Sequence, residues 1–583
     1  MRSLLPFVLF LLFVSSLRAE PDFPLTEDSK PQPNVLKGTM IKDTYTAKEG
    51  SVFPGTQREY QIYLPAGHDK SKPAAFMVFQ DGVIYQAPVV FDNLIAKKDI
   101  PPLVGIFIKP GVVPAASDNA LPRFNRSYEY DSITPTYSQF LIDEFLPAIE
   151  AKHGLQLSTD PNHAAIAGNS SGGICAFMAA WHRPDRFRRV FTGVGTYVGI
   201  HGADQLPVLV RKFEPKPLRV FLQSGTGDNN LYCGDWWMAN QMMERSLTWA
   251  GYDVNHAWGE GGHNQKHASQ IFPDVMRWLW RDWQTNIEVK ANAKGESKWK
   301  GYEVVGDGEW MEYKSDAKHP RWEHLCPNSD GDVLAWSSGG SPWEFGLFPQ
   351  SGKSGFLKPP LADVRAATWA KDNVLVLLNG EADKSNGHLE LFKFYPDGSL
   401  KKWAHGIGGY PDNMVMTFDG RLYCSDHSWL ACVKPNGEVI DAAGETDVYL
   451  SQFALSPDQT QLYSVSSADG SIGSRPLLPD GTVGREQNRF YKLEGQSRAS
   501  GLCVDTNGWL YVATALGIQV CDQAGRVNFI MPTPEWPYDV CFGGKDLSEL
   551  FIACGDTIYK RPTKAKGVAS GQQAPIKPPP PKL

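Results

Sequence analysis

Between Val52 and Trp283 the chain alternates short apolar runs of β-type residues with stretches whose apolar positions recur at helical spacing. The runs Tyr60–Leu64, Ala74–Phe79, Val104–Ile108, His163–Ala167, Val190–Gly193, Arg219–Gln223 and Val254–Trp258 read as strands. Helical patterns lie between them over Tyr137–Lys152, Gly172–Trp181 and Trp236–Ala250. Strands alternating with helices predict a mostly parallel sheet with helices on both faces.

From about Trp299 to Lys560 the pattern changes to short strands and turn signals, with hardly any helix. One phrase recurs: an acidic or amide turn residue followed by an apolar run, at Asp330, Asp372, Asp419, Asp458, Asn507 and Asp546. These positions are 42, 47, 39, 49 and 39 residues apart, the spacing of a four-stranded propeller blade. A second phrase falls between several of them, at Pro396-Asp-Gly398, Pro435-Asn-Gly437, Pro479-Asp-Gly481 and Gln523-Ala-Gly525, each a hairpin turn signal. Six repeats predict a six-bladed, all-β propeller.

Both ends differ from this pattern. Met1-Arg2, the apolar run Leu4–Val14 and Ser15 to Ala19 form the basic, apolar and small-residue parts of a secretory signal peptide, with cleavage expected after Ala19. The expected layout is a signal peptide at 1–19, a linker at 20–49, an α/β domain at 50–288, a linker at 289–298, the propeller at 299–562 and a disordered, Pro-rich tail at 563–583. No later run approaches the twenty or so apolar residues a membrane helix needs, so a secreted or periplasmic protein without a membrane span is expected. At 583 residues, with a net charge of −7 and no dominant basic patch, the composition is globular and argues against a nucleic-acid partner. Nine cysteines are an odd number for an exported chain, so at least one is expected to be unpaired or joined to another molecule.

The candidate chemistry begins where the apolar run Ala165–Ala167 feeds into Gly168-Asn-Ser170-Ser171-Gly172 and then a helix. This is the form of a nucleophile elbow, with Ser170 as the candidate nucleophile. On its own the motif also fits a glycine-rich turn with an exposed serine. A serine nucleophile needs a base and a group to orient it. His263, in the glycine-rich stretch after the last predicted strand, is the candidate base, and Asp228, after the strand Arg219–Gln223, the candidate carboxylate. Asp235 is the second choice, although an acid at a helix start is usually an N-cap. The order Ser170, Asp228, His263, each after a successive strand, is that of an α/β-hydrolase. An oxyanion hole needs two N–H donors, expected from Ser171 and from Gln80 or Asp81 after an early strand. Arg126 and Glu129 suit either a loop-stabilising ion pair or a substrate contact.

Through Phe79-Gln-Asp-Gly82, Arg126-Ser-Tyr-Glu129, Gly168 to Gly173, Gly225-Thr-Gly-Asp228, Gly262-His263 and Arg277-Trp-Leu-Trp280, residues 50 to 283 resemble the enterochelin and feruloyl esterases, the esterase D-like branch of the α/β-hydrolases. The resemblance implies cofactor-free, serine-dependent hydrolysis of a small-molecule ester: a siderophore, a feruloylated sugar or an acylated sugar. Residues 300 to 562 resemble the gluconolactonase (SMP-30-like) propellers through Ser500–Asp505, Leu510–Val520 and Phe542–Asp546. That family implies one axial divalent cation, Ca²⁺ or Zn²⁺, and here Glu323 stands at a ligand position. The other positions depart: the family's Pro-Asn-Asp is Pro411-Asp412-Asn413, where Asp412 still offers a carboxylate to a hard cation, and Gln452 and Ser500 replace the family's residues, Ser500 removing its acid or base. Three readings follow: a secreted serine esterase with a binding propeller, a bifunctional hydrolase or gluconolactonase whose propeller opens sugar lactones with a metal, or a non-catalytic binding protein.

Overall fold

The computed structural model describes residues 22–581 apart from 290–296, 307, 315–318, 320, 338–344, 351–353, 362, 381–387, 409–410, 412, 426–428, 444–449, 467–468 and 486. The expected signal peptide at 1–19 and most of the linker at 289–298 lie outside the described residues. The chain divides into two compact units: one runs to Pro207 and takes in Pro215–Ser297, and the other comprises Val208–Glu214 and the chain from Lys298.

The first unit is built on a ten-stranded mixed sheet. Its main strands are β1 (Thr39–Thr46), β2 (Gln57–Leu64), β3 (Ala75–Gln80), β4 (Leu103–Ile108), β5 (Ala164–Asn169), β6 (Arg189–Gly193), β7 (Arg219–Gly227) and β8 (Asp253–Gly262). They lie in the order β8-β7-β6-β5-β3-β4-β2-β1, with short strands at Val112–Val113 and Arg123–Phe124 beyond β2. From β8 to β4 every pairing is parallel, whereas β2 runs antiparallel to both β4 and β1. Every residue of β3, β4 and β5 is buried, which explains why these strands read as continuous apolar runs.

The longer helices are α1 (Ala87–Lys97), α2 (Leu146–His153), α3 (Ser171–His182), α4 (Trp236–Ala250) and α5 (Lys266–Trp280). Phe91 of α1 and Phe272 and Leu279 of α5 pack with Met77 and Phe79 in one apolar core. The helix expected over Tyr137–Lys152 is a composite of a helical turn at Thr136–Gln139, a π-helical stretch at Phe140–Phe145, and α2. The sequence reading missed α1 and α5; α5 carries Pro273 in its interior, a residue that normally argues against a helix.

Two boundary expectations are corrected. The stretch 20–49 is no linker, because β1 pairs with β2 along its whole length. Its sequence, TMIKDTYT, gave little sign of this: an edge strand buries little and needs no apolar run.

The tail expected at 563–583 is also ordered as far as residue 581. Ala565 and Ala569 are buried, the Gly567 N–H donates to the Leu547 carbonyl, the Thr506 N–H to Lys566 and the Ile576 N–H to Pro457, each at 2.8 Å. Gln459 Nε2 donates to the Ser570 carbonyl, Gln572 Nε2 to Asn373 Oδ1, and the Ser329 N–H to Gln572 Oε1. Backbone and amide hydrogen bonds order this segment, and composition does not reveal them.

The second unit is a propeller of six four-stranded sheets. The recurring acidic phrase marks the turn between the first and second strands of each blade, and the Pro-Asp-Gly phrase the turn between the third and fourth. The ring closes in the sixth blade, where the outer strand Met311–Glu312 comes from the start of the domain and pairs with Thr557–Pro562 from its end. The innermost strands surround an axial channel of about 110 Å³, lined by Leu325, Asn413, Gln452, Cys503, Asp539 and, from the C-terminal segment, Val568–Gln572. All nine cysteines are free thiols, most of them buried.

Candidate active site

Ser170 sits at the junction of β5 and α3 with φ 58° and ψ −124°. A non-glycine residue in that region costs about 1–3 kcal/mol and persists only where its surroundings enforce it. Here the Ser170 N–H donates to the Gly193 carbonyl at 2.8 Å, while the Ser170 carbonyl accepts from Gly173 at 2.9 Å. The flanking glycines are required by close approach: a Cβ on Gly168 would stand 2.0 Å from the Gly172 carbonyl oxygen, and one on Gly172 would stand 2.9 Å from Asp81 Oδ2. The strand-to-helix turn can therefore close this tightly only with glycine at both places.

Asp228 and His263 follow the ends of β7 and β8. The two strands pair with a constant offset as far as Gly225 and Gly259, after which a bulge shifts the register so that Gly227 pairs with Gly262. The residues next in the chain, Asp228 and His263, are thereby brought level.

His263 Nδ1 lies 2.6 Å from Asp228 Oδ1, and His263 Nε2 lies 2.8 Å from Ser170 Oγ. The Asp228 side chain is fully buried and also accepts from the Ser224 hydroxyl at 2.6 Å and the Asn229 N–H at 2.8 Å. The three residues singled out in the sequence thus form one hydrogen-bonded row. Asp235, the alternative carboxylate, caps α4 by accepting from the Met238 N–H at 3.1 Å.

The sequence reading missed three neighbours. Ser224 anchors Asp228. Thr196 Oγ1 lies 3.3 Å from Ser170 Oγ and accepts from Trp236 Nε1 at 3.1 Å, and the Trp236 ring meets His263 edge-on at 5.6 Å. Ser224, four residues before Asp228, carried a signal, because short polar side chains bond locally at strand ends. Thr196 and Trp236 had none.

Of the oxyanion candidates, Ser171 opens α3, where the first N–H groups have no intrahelical partner. Gln80 ends β3 and turns its side chain inward, accepting from the Tyr137 hydroxyl at 2.6 Å. Asp81 begins the following turn at φ 65° and lies against Gly172.

The Arg126-Ser-Tyr-Glu129 motif divides its two charges. Arg126 binds Asp81, whereas Glu129 is fully buried with Arg58, at 2.7 and 3.0 Å, and accepts from the Gly111 N–H at 3.1 Å.

In the propeller, the Glu323 carboxylate has Arg321 Nη2 at 2.8 Å on one oxygen and the Ser337 hydroxyl at 3.0 Å on the other. Gln452 Oε1 accepts from Asn413, and its Nε2 faces His324 Nδ1 at 3.3 Å. Ser500 donates to the Pro537 carbonyl at 2.8 Å. Asp412 lies outside the described residues. A Ca²⁺ site needs roughly six to eight oxygens, several of them from carboxylates. Among the described residues no three His, Cys, Asp or Glu side chains come together to hold an ion. Among the described residues at the resemblance's ligand positions the one carboxylate is that of Glu323, and it is already paired with Arg321.

Comparison with known proteins agrees with the two-part architecture. Residues 51–293 match the family model described as "Putative esterase", and residues 451–555 match the SMP-30/Gluconolactonase/LRE-like region. The iron(III) enterobactin esterase of Dickeya dadantii (strain 3937) is 30% identical over 152 residues, 24% of this chain and 33% of that one. Regucalcin of Oryctolagus cuniculus is 32% identical over 205 residues, 33% of this chain and 64% of that one. The matched part thus spans less than two thirds of either relative. A crystal structure of the enterobactin esterase from Shigella flexneri is 20% identical, with a TM-score of 0.34, covering 44% of this chain and 62% of that one. No described helix is long and apolar enough to cross a membrane. The two family-model matches thus place an esterase-like domain, similar over part of its length to an enterobactin esterase, ahead of a six-bladed propeller carrying an SMP-30/gluconolactonase-like region.

Proposed function

We propose that the first domain is a serine-dependent carboxylic-ester hydrolase of an exported protein whose signal peptide is cleaved near Ala19. The observation that carries this reading is the row Ser170 Oγ, His263 Nε2, His263 Nδ1, Asp228 Oδ1, with both contacts between 2.6 and 2.8 Å. With its proton on Nδ1, His263 donates to Asp228 and accepts the Ser170 proton at Nε2 as Oγ attacks the ester carbonyl. The Ser171 and Asp81 N–H groups receive the developing oxyanion. Collapse of the intermediate breaks the bond to the alcohol oxygen, which takes the proton from His263. Water, deprotonated by the same base, then releases the acid and restores Ser170. The substrate is a small-molecule ester of the siderophore, feruloylated-sugar or acylated-sugar kind.

The propeller is proposed to bind a ligand rather than to hydrolyse a lactone with a metal, because the one described carboxylate at the resemblance's ligand positions is already paired with Arg321. Hydrolysis of p-nitrophenyl acetate tests the reading. Turnover should survive EDTA and fall by about four orders of magnitude or more in Ser170→Ala; turnover unchanged by that substitution would overturn it. Gluconolactone opening that requires added metal and disappears in Glu323→Ala would overturn the propeller assignment.

A further inference from the structure

The loop that presents His263 has little stiffness of its own. Three of the four residues Gly259-Glu260-Gly261-Gly262 are glycine, and the strand pairing is interrupted between Gly259 and Gly262. A general base must nevertheless be held to within a fraction of an ångström of its nucleophile.

Support comes from the far end of the chain. The ring of Phe23 packs behind the loop so closely that a Cβ on Gly261 would lie 3.0 Å from it. The same ring stacks on His267, with centroids 4.6 Å apart and planes inclined by 24°. His267 backs the loop in turn: a Cβ on Gly259 would lie 2.8 Å from its ring, and its Nδ1 faces the Gln223 amide at 3.2 Å. Phe23, His267 and the glycines that lead to the candidate base are thus packed on one another.

The segment carrying Phe23 is itself fastened. The Asp28 carboxylate pairs with Lys97 of α1 and with Arg277 of α5, the latter at 2.6 Å. Asn93 Nδ2, also from α1, donates to the carbonyls of Asp28 at 2.8 Å and Lys30 at 2.9 Å. The segment is therefore held on the two helices that cover this face of the sheet, one of which begins three residues after His263.

We infer that Phe23 is a positioning residue for His263, filling the space behind a glycine loop that would otherwise sample several arrangements. The inference rests on the reading of Ser170, Asp228 and His263 as a catalytic row. Glycine suits the loop because a side chain there would collide with Phe23 and His267, and the aromatic ring supplies the bulk that the loop lacks. Nothing in the local sequence of the loop points to Phe23, more than 200 residues upstream.

The test compares Phe23→Ala, Phe23→Leu and Phe23→Tyr in the full chain. It uses steady-state hydrolysis of p-nitrophenyl acetate, the rate and end-point of fluorophosphonate labelling, and thermal unfolding. Phe23→Ala should lower kcat by about 10- to 100-fold with KM changed little, and slow labelling while leaving its final stoichiometry at that of wild type. Phe23→Tyr should restore kcat to within about threefold, with Phe23→Leu in between. A kcat equal to wild type in the alanine variant, or a loss that only tracks a reduced labelled fraction, would overturn the inference. Should the alanine variant fail to fold, the leucine and tyrosine variants decide: equal kcat in both overturns it, and a deficit for leucine alone sustains it. Wild-type protein that is neither labelled nor active would instead overturn the catalytic reading itself.

Discussion

Arg126 grips Asp81 through two parallel hydrogen bonds, Nε to Oδ1 at 2.7 Å and Nη2 to Oδ2 at 2.8 Å. Asp81 stands at φ 65°, a left-handed conformation that aspartate adopts more readily than most side chains, and its carboxylate lies against Gly172, two residues beyond Ser170. The fork fixes the turn whose N–H is proposed to meet the oxyanion.

Arg126→Lys keeps the charge but removes the second parallel bond. It should lower kcat by about tenfold, KM should move less, and affinity for a boronate that mimics the tetrahedral intermediate should fall in step with kcat. Steady-state kinetics with boronate inhibition checks this. A large rise in KM at constant kcat would instead place Arg126 on the ground-state substrate.

Asp539 makes the propeller's stability depend on pH. Its carboxyl is buried and accepts from the Leu325 and Val540 N–H groups at 2.8 Å, but burial outweighs these bonds and pushes its pKa up to about 8; burial likewise pushes Asp505 up to about 6. An unfolded aspartate titrates near 3.9, at about the usual value. Between these values the folded state holds the extra proton, so this contribution to stability is complete below about pH 4 and is lost as pH rises through about 8. The propeller melting temperature should fall from about pH 5 to about pH 8.5, and Asp539→Asn should flatten that dependence. Parallel pH curves for the two proteins would show that Asp539 is not responsible.

The C-terminal segment should act as a stabilising strap. It bonds to first-to-second-strand turns in five blades and lies against the remaining one, the third, through Gly571, where a Cβ would come within 2.9 Å of Met416. Truncation after Pro562 removes these bonds along with the buried Ala565 and Ala569. It should lower the propeller melting temperature by several degrees and leave ester hydrolysis within about twofold of the full chain. Calorimetry on the two chains measures the first effect and p-nitrophenyl acetate turnover the second; an unchanged melting temperature would mean the strap contributes nothing.

Much of this architecture could be read in the chain because it is written in local patterns. Strands buried on both faces gave unbroken apolar runs, and each blade repeated an acidic or amide turn where two strands meet. Ser170 was legible because close packing at Gly168 and Gly172 admits only glycine, and Asp235 because capping chemistry is local. Other features depend on tertiary context. The bulge that brings His263 level with Asp228 comes from one extra residue in β8, which the spacing of the motifs does not reveal. The strand at Thr39–Thr46 and the strap after Pro562 are fastened chiefly by backbone bonds to distant partners. Thr196 and Trp236 reach the site through hydrogen bonds and a ring contact, and Phe23 through packing on the loop, all set by tertiary context. In the propeller, resemblance placed Glu323 at a ligand position, yet Arg321 and Ser337 occupy its oxygens, an arrangement seen only once the side chains are placed.

The central claim is that Ser170 is a nucleophile activated by His263. It is tested most directly by treating the intact protein with a fluorophosphonate and locating the adduct by mass spectrometry. The account predicts one adduct per chain, on Ser170, with labelling abolished in Ser170→Ala and slowed by about two orders of magnitude or more in His263→Ala. Absence of an adduct on the folded wild-type protein, or an adduct on another residue that persists in Ser170→Ala, would contradict it.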